Sequence, residues 1–95
     1  MIKRIVKLEI EPQKQSEFVC LFNKLKNQIT DFKGCISVEL QQDLHSPNIF
    51  FTYSLWHSES SLNIYRDSIF FRHNWKKVKK LLVNKPLAWS VKEIL

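Results

Sequence analysis

The residues that could do chemistry gather in the second half of the chain. Trp56, Phe71 and Trp75 are flat apolar surfaces; Tyr65, His73 and Asn74 bring a hydroxyl, an imidazole and an amide into positions 65–74. Aromatic walls with one or two placed polar groups make a pocket for a small flat molecule. Each residue also has a plainer reading. Trp56 ends an extended run and would plug a core. Tyr65 lies on an apolar helical stripe and can be core with its hydroxyl at the edge. Trp75 sits within the Phe71, Trp75, Val78, Leu82 stripe, the spacing of helix packing. His73 falls two residues off that stripe and can face solvent as readily as a pocket. Arg66 reads as an ordinary surface charge beside Asp67.

Other chemistries find no support in the sequence. His45, His57 and His73 are far apart, and no cysteine or carboxylate completes a metal-ligand set with them. Cys20 and Cys35 have no adjacent base to mark a nucleophile, and as the only cysteines they read as a reduced pair rather than a disulfide framework. With one glycine in the chain there is no phosphate-cradling loop.

The elements that must position these residues follow from periodicity. Residues 2–10 alternate, with Val6, Leu8 and Ile10 on one side and Lys3, Lys7 and Glu9 on the other, Ile5 among them; period two marks a half-buried strand. Pro12 suits the first turn of a helix, and Phe18, Phe22, Leu25 and Ile29 form one apolar stripe after it. Gly34 reads as a turn. Ile36, Val38 and Leu40 alternate in a second strand. The stretch from Gln41 to Asn48 has the Asp, Ser, Pro and Asn of a turn, and Ile49 to Trp56 is a third strand, rich in aromatic residues and completing a hairpin. Ser58 is a helix N-cap, and a bend is expected near Ser68 because the stripes on either side of it do not join. Pro86 closes the helical region, and Ala88 to Leu95 reads as a last strand.

The order is strand, helix, strand, twice. It predicts an α+β, ferredoxin-like βαββαβ fold over residues 1–95 as a single domain: a four-stranded antiparallel sheet with both helices on one face. The other face would carry Ile5, Trp89 and either Phe50 or Phe51, depending on register. A bare apolar sheet face meets a partner, so a homodimer is expected.

The formal net charge is +6, and four of the fifteen Lys and Arg residues lie in Lys76, Lys77, Lys79 and Lys80, which turn away from the apolar stripe as a solvated outer face. RNA binding through such a sheet needs stacking rings in a basic, glycine-containing strand. The third strand, residues 48–55, has neither Gly nor a basic residue, so no nucleic-acid partner is expected. No run is long enough for a signal peptide or a membrane span, and the expectation is a cytoplasmic protein without membrane contact.

The stretch Trp56-His57-Ser58-Glu59-Ser60-Ser61-Leu62, followed by Tyr65-Arg66-Asp67-Ser68 and Phe70-Phe71, resembles the antibiotic biosynthesis monooxygenase (ABM) family. So does Phe18 followed by Gly34-Cys35, where that family has Pro-Gly-Cys and Lys33 replaces the proline. The resemblance covers nearly the whole chain. It implies a dimeric α+β barrel with a pocket between sheet and helices in each subunit. Some members oxygenate anthrones or quinols with O2 and no cofactor, others degrade haem, and others have no assigned reaction. Oxygenation without a cofactor needs an electron-rich phenol or enol, help in removing its proton, and exclusion of water. The resemblance therefore implies a cofactor-independent monooxygenase acting on a small aromatic or quinol-like compound, with Tyr65, His73 and Asn74 in catalytic positions and Trp56, Phe71 and Trp75 binding the ring. The alternative is a non-catalytic dimer of the same fold that holds a small hydrophobic ligand. No cofactor is expected. Where the haem-degrading branch has its histidine, this chain has Trp75, whose indole has no lone pair free for iron, and His73 is about 200° around the helix from it.

Overall fold

The register of β1 decides which side chains face the helices. In the computed structural model, which describes residues 1–95, β1 (Ile2–Glu9) pairs antiparallel on both sides. A short 3-10 turn, Pro12–Lys14, leads into α1 (Gln15–Thr30). Then come β2 (Cys35–Gln42), β3 (Ile49–Trp56), α2 (Glu59–Arg66), α3 (Ile69–Lys79) and β4 (Leu87–Val91). The strand order is β2-β3-β1-β4 and every pair is antiparallel, the ferredoxin-like arrangement. No helix is long and apolar enough to cross a membrane.

Alternation sorts the sheet into two faces. Val6, Leu8, Ile10, Phe50 and Val38 turn towards the helices, and Leu8, Ile10, Phe50 and Val38 are buried there. Phe51 takes the opposite face, with Ile5 and Tyr53 paired across β1 and β3 and Ile5 and Trp89 across β1 and β4. The choice between Phe50 and Phe51 is thus settled: Phe50 is core and packs against Phe18 with ring centroids 5.0 Å apart.

The helical stripe of α1 is buried through Phe18, Phe22 and Ile29. The hydroxyls of Ser58 and Ser68 accept from the backbone N–H groups of Ser61 and Phe71, capping α2 and α3 and separating them at the expected bend. In the hairpin loop the Asp43 carboxylate accepts from the N–H of His45 and of Ser46, at 3.0 and 2.8 Å. These bonds hold its pKa below the usual carboxylate value. Gly34 has φ +88°, a conformation side chains resist, and Ser61 occupies the space a Cβ would need there.

Two boundaries differ from the periodicity. Leu82 is not on the helical stripe: α3 stops at Lys79, and Leu82 bridges Ile10 instead. Backbone bonds beyond the end of β1 hold the chain extended there, since Glu11 N–H donates to Leu81 O and Val83 N–H to Glu9 O; Leu81 fills the core in place of Leu82. β4 ends at Val91 rather than Leu95. Its last pair is Lys3 with Val91, one residue short of the start of β1.

The core beneath the helices is not continuous. One cluster joins Leu8, Ile10, Phe18, Phe50, Val78 and Leu81; a second joins Phe22, Ile29, Val38, Trp56 and Leu62.

Candidate functional site

Between those two clusters lies a cavity of about 330 Å³. Leu8, Phe18 and Val78 from the first cluster and Phe22, Ile29, Val38 and Leu62 from the second form much of its wall, so both clusters end on it. Its floor is the sheet. Here the apolar row breaks: Arg4, Thr52 and Ser54 face the helices where alternation calls for hydrophobic side chains. Arg4 pairs with Ser54 on one side and with Ser90 on the other, so a polar row runs across β3, β1 and β4, and the Arg4 guanidinium donates to Ser90 Oγ at 3.0 Å.

The helical wall is a chain of rings. Trp56 stacks on Tyr65 (5.1 Å, 28°), Tyr65 meets Phe71 edge-on (5.2 Å, 75°), and Phe71 stacks on Trp75 (5.9 Å, 13°). Tyr65, Phe71 and Trp75 line the cavity. Trp56 does not. It is fully buried and supports Tyr65 from behind, with its indole N–H donating to Ser54 Oγ at 2.9 Å. The reading of Trp56 as a ring-binding wall is therefore corrected to that of a buttress, because the end of β3 carries it under α2 rather than beside the opening.

Asn74 lines the cavity and is 9% exposed. Its amide N–H donates to Phe70 O one turn back at 2.9 Å, which fixes the amide orientation and leaves the side-chain carbonyl oxygen free to accept from a ligand. Burial pushes the Tyr65 hydroxyl far above its ordinary pKa, and the nearby Cys35 adds to the shift. At neutral pH it is a neutral donor, not a base. His73 is exposed and does not line the cavity. One residue before Asn74, it is rotated about 100° out of the buried Asn74/Val78 face, so its candidacy as a proton acceptor in this cavity is withdrawn. Phe70 and Phe71 are both half-buried in the wall, and the space between sheet and helices stays open despite them.

Two functional candidates escape the sequence reading. Arg66, taken there as a surface charge, lines the cavity from the end of α2, and Arg4 lines it from β1. Burial, and after it the charge of Arg66, lowers the pKa of Arg4, so the two guanidiniums feel each other. No Asp or Glu lines the cavity, and the one ion pair in the chain is Lys14 with Glu11, elsewhere. Arg4 did carry a signal: period two places it on the row of Val6, Leu8 and Ile10, facing the helices.

The arrangement can hold a flat molecule against rings, offer it a donor and an acceptor, and meet negative charge with two cations. The basic run is separate from it: Lys76, Lys77, Lys79 and Lys80 are all exposed.

Comparison with known proteins places this geometry. A conserved protein from Methanosarcina mazei Go1 superposes with a TM-score of 0.92 at 24% sequence identity, covering 98% of this chain and 92% of that one. A crystal structure described as an antibiotic biosynthesis monooxygenase gives 0.91 at 17% identity over 100% of both chains. The protein Rv0793 from Mycobacterium tuberculosis gives 0.88 at 16% identity over 98% of this chain and 94% of that one. At such identities the likeness establishes the fold. No curated protein matches the sequence. The model of one family, antibiotic biosynthesis monooxygenase, matches residues 1–76, most of the length, and the chain therefore belongs to the antibiotic biosynthesis monooxygenase family.

Proposed function

We propose that this protein is a cofactor-independent monooxygenase that oxidises a small aromatic or quinol-like compound with O2, working as a homodimer in the cytoplasm. The observation that carries the reading is an aromatic-walled cavity, held open in the middle of a small core, lined by Tyr65 and by Asn74, whose side-chain carbonyl oxygen is left free to accept. A ring would lie against Phe71 and Trp75. The neutral Tyr65 hydroxyl would donate to the substrate oxygen as it becomes an oxyanion, and the Asn74 carbonyl oxygen would accept from a second substrate hydroxyl. The ionised ring then gives one electron to O2, superoxide and the ring radical combine to a peroxide, and loss of water leaves a ketone. A CH2 and O2 become a C=O and H2O, so no external reductant is needed. Apolar walls exclude water from the peroxide.

The second copy would cover the outer sheet face, where Ile5, Phe51, Tyr53, Leu55 and Trp89 stand together. One observation favours a purely ligand-holding dimer: no imidazole or carboxylate lines the cavity, so a substrate proton must leave without such a base.

Oxygen uptake with anthrone and quinol substrates separates the readings. The oxygenase reading predicts uptake without added cofactor, slowed on the order of 10²-fold in Tyr65→Phe, which removes one oxyanion donor. Uptake no faster than the buffer blank across the panel, with a quinol still bound, moves the protein to the binding reading.

A further inference from the structure

We infer that the ligand of this cavity is an aromatic molecule bearing a carboxylate, inserted ring first, with the carboxylate held at the mouth between Arg4 and Arg66. The inference rests on the cavity being the ligand site proposed above and adds the class of molecule. Arg66 is exposed while lining the cavity, so it stands where the cavity opens; Arg4 is half-buried on the floor strand beneath.

Like charges brought together at a partly buried site repel, and water screens them poorly there. Elsewhere in proteins such a pair is neutralised by Asp or Glu. Here no acidic side chain lines the cavity, Arg66 has no ion pair, and the one hydrogen bond of the Arg4 guanidinium goes to the neutral Ser90 hydroxyl. A bound anion would relieve the repulsion. A carboxylate accepts two parallel hydrogen bonds from a guanidinium, a fit that a neutral amide or hydroxyl lacks. The interior behind the arginines is mostly apolar and walled by Tyr65, Phe71 and Trp75, which suits a flat ring. Charge at the mouth and ring inside is also the orientation of least desolvation, since the carboxylate keeps part of its water.

Isothermal titration of the whole protein with 2-naphthoate and its neutral isostere 2-naphthamide tests this. Naphthoate should bind about tenfold more tightly than the amide at low salt, and the gap should narrow as salt rises. Arg66→Gln should remove most of that preference, weakening naphthoate binding far more than naphthamide binding. This variant leaves the fold intact, since Arg66 makes no side-chain bond in the chain, and circular dichroism checks it. Arg4→Lys, which keeps the charge but not the fork, should lose part of the preference. Equal affinity for the two probes, or a preference untouched by Arg66→Gln, overturns the carboxylate assignment and leaves the ligand site standing. No heat from either probe overturns both. Naphthoate preference with no oxygen uptake overturns the oxygenase reading alone.

Discussion

The two faces of the sheet break the alternation of polar and apolar residues in opposite senses. On the helix face, where burial calls for hydrophobic side chains, the central rows hold Arg4, Thr52 and Ser54. On the outer face, where solvent calls for polar ones, the same strands carry Ile5, Phe51, Tyr53 and Leu55, and β4 adds Leu87, Trp89 and Val91, which are 51%, 45% and 43% exposed. Each violation has a local cost. Polar groups on the inner face deny the core the closure it would otherwise have between its two clusters, and rings on the outer face leave apolar area in water. Paired departures of this kind mark places where a sequence answers to something other than its own fold. On the function proposed above, the inner one would answer to a ligand and the outer one to a second copy.

The largest effect is expected on the outer face. Trp89→Glu puts a charge where the second copy is to pack. It should raise the dimer dissociation constant on the order of 10²-fold or more, as loss of a buried aromatic anchor does. Light scattering would then fall to the monomer mass of 11.4 kDa. A wild-type chain that is already monomeric at micromolar concentration would remove the second copy from the comparison.

Substitutions on the inner row sharpen it by separating fold from ligand. Ser54→Ala removes the acceptor of the indole N–H of the fully buried Trp56 and should cost about 1–3 kcal/mol, read as a lower midpoint of thermal unfolding. Thr52→Val, two residues away on the same face of β3, breaks no hydrogen bond. It should leave stability within about 0.5 kcal/mol while weakening binding of a polar ligand. If both variants destabilise alike, the inner row is structural rather than kept polar for a ligand.

Much of this is legible in the sequence, and the illegible part has a physical reason. Period two in residues 2–10 and the Phe18/Phe22/Ile29 stripe announce the strand and the helix, because burial on one side is a local pattern. Ser58 and Ser68 announce the breaks around α2, because capping is local too. The site is half-legible. Tyr65, Phe71, Asn74 and Trp75 do meet at the cavity, since the inward faces of α2 and α3 carry them. Trp56 and His73 do not line it. Nothing local distinguishes the end of a strand under a helix from one beside an opening, and two residues of offset on a helix turn a side chain to solvent. Arg66 cannot be told from a surface arginine until α2 is docked on the sheet. Arg4 could be, because a charge in an alternating apolar row is already an anomaly. The end of α3 is also nonlocal: it depends on backbone bonds from Glu9 and Glu11, far earlier in the chain.

The three tryptophans report on the two faces separately, and their indole N–H signals in a nitrogen-15 spectrum test the central claim most directly. Trp75 lines the cavity, Trp56 lies behind its wall, and Trp89 stands on the outer face. Titration with 2-naphthoate should shift the Trp75 signal strongly and the Trp56 signal less, and leave Trp89 in place. A ligand that moves Trp89 while Trp75 stays still would show that the outer face, not the cavity beneath the helices, is where this protein meets small molecules.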